Sequence, residues 1–145
     1  MDKRVIDVFT AGHCFIYQNI ATIRPETLPH NVPNCGYHIW IGDGSVFYAT
    51  DTATLDGIEA KGYDLYMIEA NHVKEELEAR RDAKVTAGEY AYEFNAARNH
   101  MSREQAEDWL PADGAEQQIC VFAPAQGGLQ CVIPQKKDKA LVPFY

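Results

Sequence analysis

Two side chains of metal-binding type, His30 and Asp51, stand twenty-one residues apart in a stretch of polar turns and short strands. An imidazole nitrogen and a carboxylate oxygen suit zinc or a harder divalent cation. Residue type and spacing leave a second reading open: a loop histidine, and an aspartate in Thr50-Asp51-Thr52 that caps a helix. Asp51 has a positional argument in its favour. It follows the near-continuous apolar run Val46-Phe47-Tyr48-Ala49, which suits a strand covered on both faces. An acid just beyond such a strand lies at its carboxyl end, where open sheets carry their ligands. The other imidazoles are His13, His38, His72 and His100. His13 sits in a Gly-Cys turn, His38 alternates with Trp40 along a strand, and His72 stands at the start of the best helical segment. Other chemistries lack support, because G-x-S-x-G, P-loop, G-x-G-x-x-G and H-E-x-x-H patterns are all absent.

Further residues carry a resemblance. His30 with Asn34-Cys35-Gly36-Tyr37, followed by Phe47-Tyr48-Ala49-Thr50-Asp51-Thr52, resembles the second half of a metallo-β-lactamase-fold hydrolase. The branch is the one related to the tRNA 3′-processing ribonuclease (ribonuclease Z) and to small bacterial phosphodiesterase-like hydrolases. Leu65 to Asn71 resembles the family's next strand. Asn99-His100-Met101-Ser102 with Gln105-Ala106 resembles its His-Ser/Thr motif opening a helix. The match runs from about Val5 to about Phe122 and keeps the four motifs in order. It implies an α/β (α+β) fold, one half of an αββα sandwich with a mixed sheet flanked by helices. It also implies that His30 is a metal ligand, that Asp51 bridges two metal ions, and that zinc or another divalent metal is the cofactor. By the same resemblance His100 lies near the scissile phosphate as a general acid, and Glu69 orients the catalytic histidine from behind.

The family's H-x-H-x-D-H signature is absent, and Ala123-Pro124 stands where its last histidine should close a strand. Catalytic zinc takes three protein ligands plus water, and His30 and Asp51 supply two. The expectation is therefore a truncated metallo-β-lactamase-like protein, related to metal-dependent phosphodiester or ester hydrolases and inactive as a single chain. A second chain would complete the metal site of an active form. The alternative is a non-catalytic binding or interaction module that keeps the half-fold.

At 145 residues the chain is one domain with room for a real core, and short for a four-layer sandwich. Its 46% apolar and 23% charged residues are those of an ordinary globular protein. A formal charge of −8 opposes a general nucleic-acid-binding surface, while nucleic acid stays open as a substrate. Cys14, Cys35, Cys120 and Cys131 form no C-x-x-C pair and read as free buried thiols. With no secretory signal and no run of membrane-spanning length, a reducing cytoplasm is expected.

The elements that must position these residues change character along the chain. Up to Ala49 the pattern predicts strands and turns: Val5–Phe9, Cys14–Tyr17, Ile20–Arg24, Tyr37–Ile41 and Ser45–Ala49, with turns at Gln18-Asn19 and Gly42-Asp43-Gly44. Next come a short helix over Thr54 to Lys61, a strand at Tyr63 to Ala70, and a helix from Val73 to Ala87 ended by Gly88. Tyr90, Tyr92 and Phe94 read as packing residues. Ser102 and Gln105 spell a capping box for a further helix, stopped by Pro111. Strands follow at Ile119–Ala123 and Leu129–Ile133, around a Gly127-Gly128 turn. The apolar ending Ala140–Tyr145 predicts that the tail, residues 134–145, docks on its own sheet or on a neighbour's. A half sandwich also leaves a sheet face to cover, so a homodimer is expected.

Overall fold

Alternation becomes strand pairing through two tight links. The computed structural model describes residues 8–110 and the backbone of three later strands. Gln18 and Asn19, with φ of 49° and 56°, are the central residues of a turn closed by Ile20 N–H on the Tyr17 carbonyl at 2.9 Å. Positive φ at both positions is what a type I′ turn requires, and its twist matches that of a hairpin. It joins β1 (Phe15–Tyr17) to β2 (Ala21–Leu28). Gly42, at φ 57°, opens the two-residue link between β3 (Asn34–Ile41) and β4 (Gly44–Ala49).

β2 runs on through Pro25, where the sequence allows an extended or a turning path, and the extended one is taken. Pro25 is tolerated because its carbonyl accepts from Gly12 N–H at 2.7 Å on the side away from β3. Its missing N–H faces that same side, where β1 has already ended, so no ladder bond is lost.

β5 (Leu65–Glu69) and β6 (Gln118–Phe122) complete a six-stranded sheet in the order β1-β2-β3-β4-β5-β6. The first four strands pair antiparallel, and β4, β5 and β6 are parallel. Between β5 and β6 lie α1 (Lys74–Thr86), α2 (Glu93–Asn99) and α3 (Arg103–Trp109). The class is α+β with a mixed sheet and flanking helices, as expected. β7 (Gln130–Val132) and β8 (Leu141–Pro143) form a separate antiparallel pair, so part of the tail lies against the chain's own backbone. No helix among the described residues is long and apolar enough to cross a membrane.

Helix ends follow their local chemistry. Gly88, at φ 71°, ends α1 in a Schellman arrangement: its N–H donates to the Val85 carbonyl, and Glu89 N–H donates to the Lys84 carbonyl. Ser102 and Gln105 form the predicted reciprocal capping box on α3. The helix expected over Thr54 to Lys61 is absent. Thr54 Oγ1 accepts from Asp56 N–H instead, and Gly57 takes φ 79°, so a local side-chain turn replaces the helical ladder.

Other expectations are corrected by burial. Phe47 and Ala49 of β4 are buried while Val46 and Tyr48 are only half-buried, so one face of that strand is fully covered. Tyr90, Tyr92 and Phe94 are exposed; Lys84 lies over the Tyr92 ring and Arg81 over Phe94. Cys14 is exposed and Cys35 half-buried, both as free thiols. Val8 and Phe9 lie outside any strand, and Phe9 stacks on Phe15. Residues 1–7, Pro111, Ala123-Pro124, the Gly127-Gly128 turn and the side chains of Cys120 and Cys131 lie outside the described residues.

The core sits on the helix-bearing face, where Phe47, Tyr66, Ile68, Leu55 and Met101 are buried against Trp109 and Leu110. His38 is fully buried at its margin. Its Nε2 lies 3.0 Å from Arg24 Nη2, which can only donate, so Nε2 accepts and Nδ1 carries the proton toward Tyr63 Oη at 2.6 Å. Protonation would set two donors against each other. Burial, and then Arg24, hold the His38 pKa below the ordinary histidine value, while Glu26 at 3.5 Å pulls weakly the other way. The unfolded chain therefore binds the extra proton more readily. This stability is fully present above the unfolded value of about 6.5 and is lost as pH falls through the lower folded value. Urea unfolding at pH 7.5 and 5.5 should show a smaller acid loss for His38→Gln than for the native chain. Equal losses would mean that His38 is not the titrating group.

Candidate metal centre

Strand direction gathers the candidate residues. β2 and β4 are each antiparallel to β3, so they point the same way, and β5 and β6 run with them. His30 follows the end of β2, Asp51 follows β4, and Glu69 closes β5, which puts all three at one end of the sheet. α2 delivers His100 to that end, because Asn71 N–H bonds to the Met101 carbonyl at 2.9 Å and His72 bridges Ser102.

His30, Asp51 and His100 each offer a ligand atom, and these atoms lie within 4.8 Å of one another. The His30 and His100 rings meet edge to face at 5.3 Å, and His100 Nδ1 lies 3.8 Å from Asp51 Oδ1. Both ring nitrogens of His30 are buried without a hydrogen-bond partner among the described residues. A neutral imidazole has one donor and one acceptor nitrogen, and either kind of polar atom buried without a partner is costly unless something else fills that role. A divalent cation fits such a donor set: two imidazoles and a carboxylate.

Behind these residues lies Glu69, only 4% exposed. Its Oε1 accepts from His100 Nδ1 at 2.7 Å and from Asn71 Nδ2 at 3.3 Å, and its Oε2 accepts from Thr52 N–H at 3.1 Å. One carboxylate thus ties together the loop after β4, the loop after β5 and the α2–α3 link. With Nδ1 engaged, His100 has Nε2 left to face a ligand or a reacting group. Asp51 sits at φ 53°, a left-handed conformation that aspartate tolerates better than most residues. No helix follows it, so the helix-capping reading of Thr50-Asp51-Thr52 finds no helix to cap.

All four candidate residues therefore converge. The resemblance implies that His100 is a proton donor near the metals; that it joins His30 and Asp51 as a third donor atom of one cluster is visible only in the structure, since seventy residues separate it from His30. His13 is exposed in its turn, and His38 belongs to the core. His72 is buried with Nδ1 unpartnered, beside Glu104.

Fold and site together define an α+β domain with a His–Asp–His cluster at the carboxyl end of a mixed sheet. No protein-family profile matches the chain, and no curated protein matches it in sequence. In structure it is similar to Zn(2+)-bound PqqB from Methylobacterium extorquens, at 11% identity and a TM-score of 0.43. The similarity covers 65% of this chain and 36% of that one, so the chain spans little more than a third of that protein's length.

Proposed function

We propose that this chain binds one divalent metal ion, zinc foremost, through His30, Asp51 and His100, and supplies half of the active centre of a metallo-β-lactamase-like hydrolase. The bonds cleaved would be phosphodiesters or related esters. The unpartnered, buried nitrogens of His30, facing a second imidazole and a carboxylate, carry this reading. An ion held there supplies Lewis acidity toward an ester or phosphoryl oxygen. The chain's own groups do the rest. Glu69 fixes the His100 ring through Nδ1, which leaves Nε2 as the atom that would ligate the ion; a His100 not engaged by the ion would instead serve as proton donor to a departing oxygen.

The H-x-H-x-D-H signature is absent from the sequence, and Ala123 takes the place of the family's last histidine. A second, different chain would bring the remaining ligands, while another copy of this chain in a two-fold dimer would cover the sheet face opposite the helices. The same absence favours the second reading, a binding module without turnover.

Metal content, mass in solution and turnover of bis-p-nitrophenyl phosphate, measured on one preparation, separate these readings. About one ion per chain and a dimer mass without turnover would support the non-catalytic module. Turnover abolished by chelator and by Asp51→Ala would support the hydrolase. A metal-free chain after incubation with Zn2+ would defeat the metal site, and the hydrolase with it.

A further inference from the structure

We infer that Asn34 is a positioning residue for Asp51, an inference that rests on the metal-site reading above. The β3–β4 ladder stops at Tyr37↔Tyr48, and the β4–β5 ladder stops at Ala49↔Ile68. Beyond those pairs no strand among the described residues is matched to Thr50 or Asp51, although Asp51 must hold φ 53° to stay at the site. The side chain of Asn34 replaces the missing ladder. Its single amide nitrogen donates to the Thr50 carbonyl at 2.8 Å and to the Asp51 carbonyl at 2.7 Å.

This task needs two donors on one short side chain, which narrows the residue type. Aspartate has none when ionised, and serine or threonine has one. The neighbouring backbone is shaped to match. A Cβ on Gly36 would lie 2.7 Å from the Tyr48 carbonyl and 3.1 Å from Leu28, so only glycine lets β3 come this close to β4. Gly36 lies two residues along the strand from Asn34, on the same face, and that close approach carries Asn34 over the loop. Thr52 and Ala53, immediately after Asp51, are then held by Glu69 and by the Pro29 carbonyl. Asp51 is thus pinned from both sides, by Asn34 from β3 and by two backbone N–H groups that follow it.

The test uses the full chain with Co2+ as probe, following affinity, the visible d–d spectrum and amide exchange at Thr52 and Ala53. Asn34→Ala should weaken Co2+ about 10- to 100-fold, the range for outer groups that orient ligands, and alter the spectrum. Asn34→Ser, keeping one donor, should fall between. Exchange at Thr52 and Ala53 should quicken in the same order while Tyr66 and Ile68 stay protected, which a general loss of stability would not produce. Native affinity, spectrum and exchange in Asn34→Ala would overturn the inference and leave the metal site standing. A native chain that binds no Co2+ would overturn the metal site, and the inference with it.

Discussion

His30→Ala should lower Co2+ or Zn2+ affinity by more than about a hundredfold, beyond the roughly 10- to 100-fold typical of residues that only orient ligands. The folded chain should survive the change. Neither ring nitrogen of His30 has a partner among the described residues, so truncation breaks no hydrogen bond there and removes buried polar atoms that none of them satisfies. The metal-free variant should therefore unfold at or slightly above the native temperature. Added metal separates the two proteins. At a free concentration a hundred times its dissociation constant, an ion bound only by the folded state adds about 2.7 kcal/mol of stability to the native chain. His30→Ala at that concentration should gain almost nothing. Calorimetric titration with parallel thermal melts makes the comparison, and native affinity in the variant would remove His30 from the site.

Phe47→Ala should be the most damaging single change in the described core. Phe47 is fully buried, and its ring lies 4.9 Å from His38, 5.4 Å from Trp109, 6.0 Å from Tyr63 and 6.5 Å from Tyr66. Those partners come from β3, the loop before β5, β5 itself and α3, so the cavity would open where four segments meet. Buried Phe→Ala changes cost about 3–5 kcal/mol, a large share of a domain's marginal stability. For a chain of this size the melting temperature should drop on the order of 10–20 °C. Phe47→Leu, which leaves a smaller cavity, should cost much less. A fall of only a degree or two for the alanine variant, followed by circular dichroism, would mean that the segments do not share one core.

Much of this architecture is written locally. Alternating residues before Ala49 spell strands, Gln18-Asn19 and Gly42-Asp43 set their links, and Ser102 with Gln105 marks the start of α3. Such signals act within a few residues, where backbone sterics and side-chain capping decide the conformation. The segment from Thr54 to Lys61 misled because helical composition says nothing of Thr54 turning back on Asp56 or of Gly57 at positive φ. Tyr90, Tyr92 and Phe94 misled in the opposite direction: their apolar character predicts burial, yet cations from α1 cover two of the rings at the surface.

By itself the sequence determined the α+β class and most strand positions; the roles of His30, Asp51, Glu69 and His100 entered only as what the motif resemblance implies. Only the tertiary structure decided that these four meet. β2, β4 and β5 point the same way, so residues at positions 30, 51 and 69 reach one sheet end, and α2 returns His100 to it. The sequence also held Asn34 and Gly36 in plain view without showing their purpose. A side-chain amide meeting two carbonyls sixteen and seventeen residues away depends on strand pairing and a close backbone approach. Those are set by long-range packing, which no local pattern encodes.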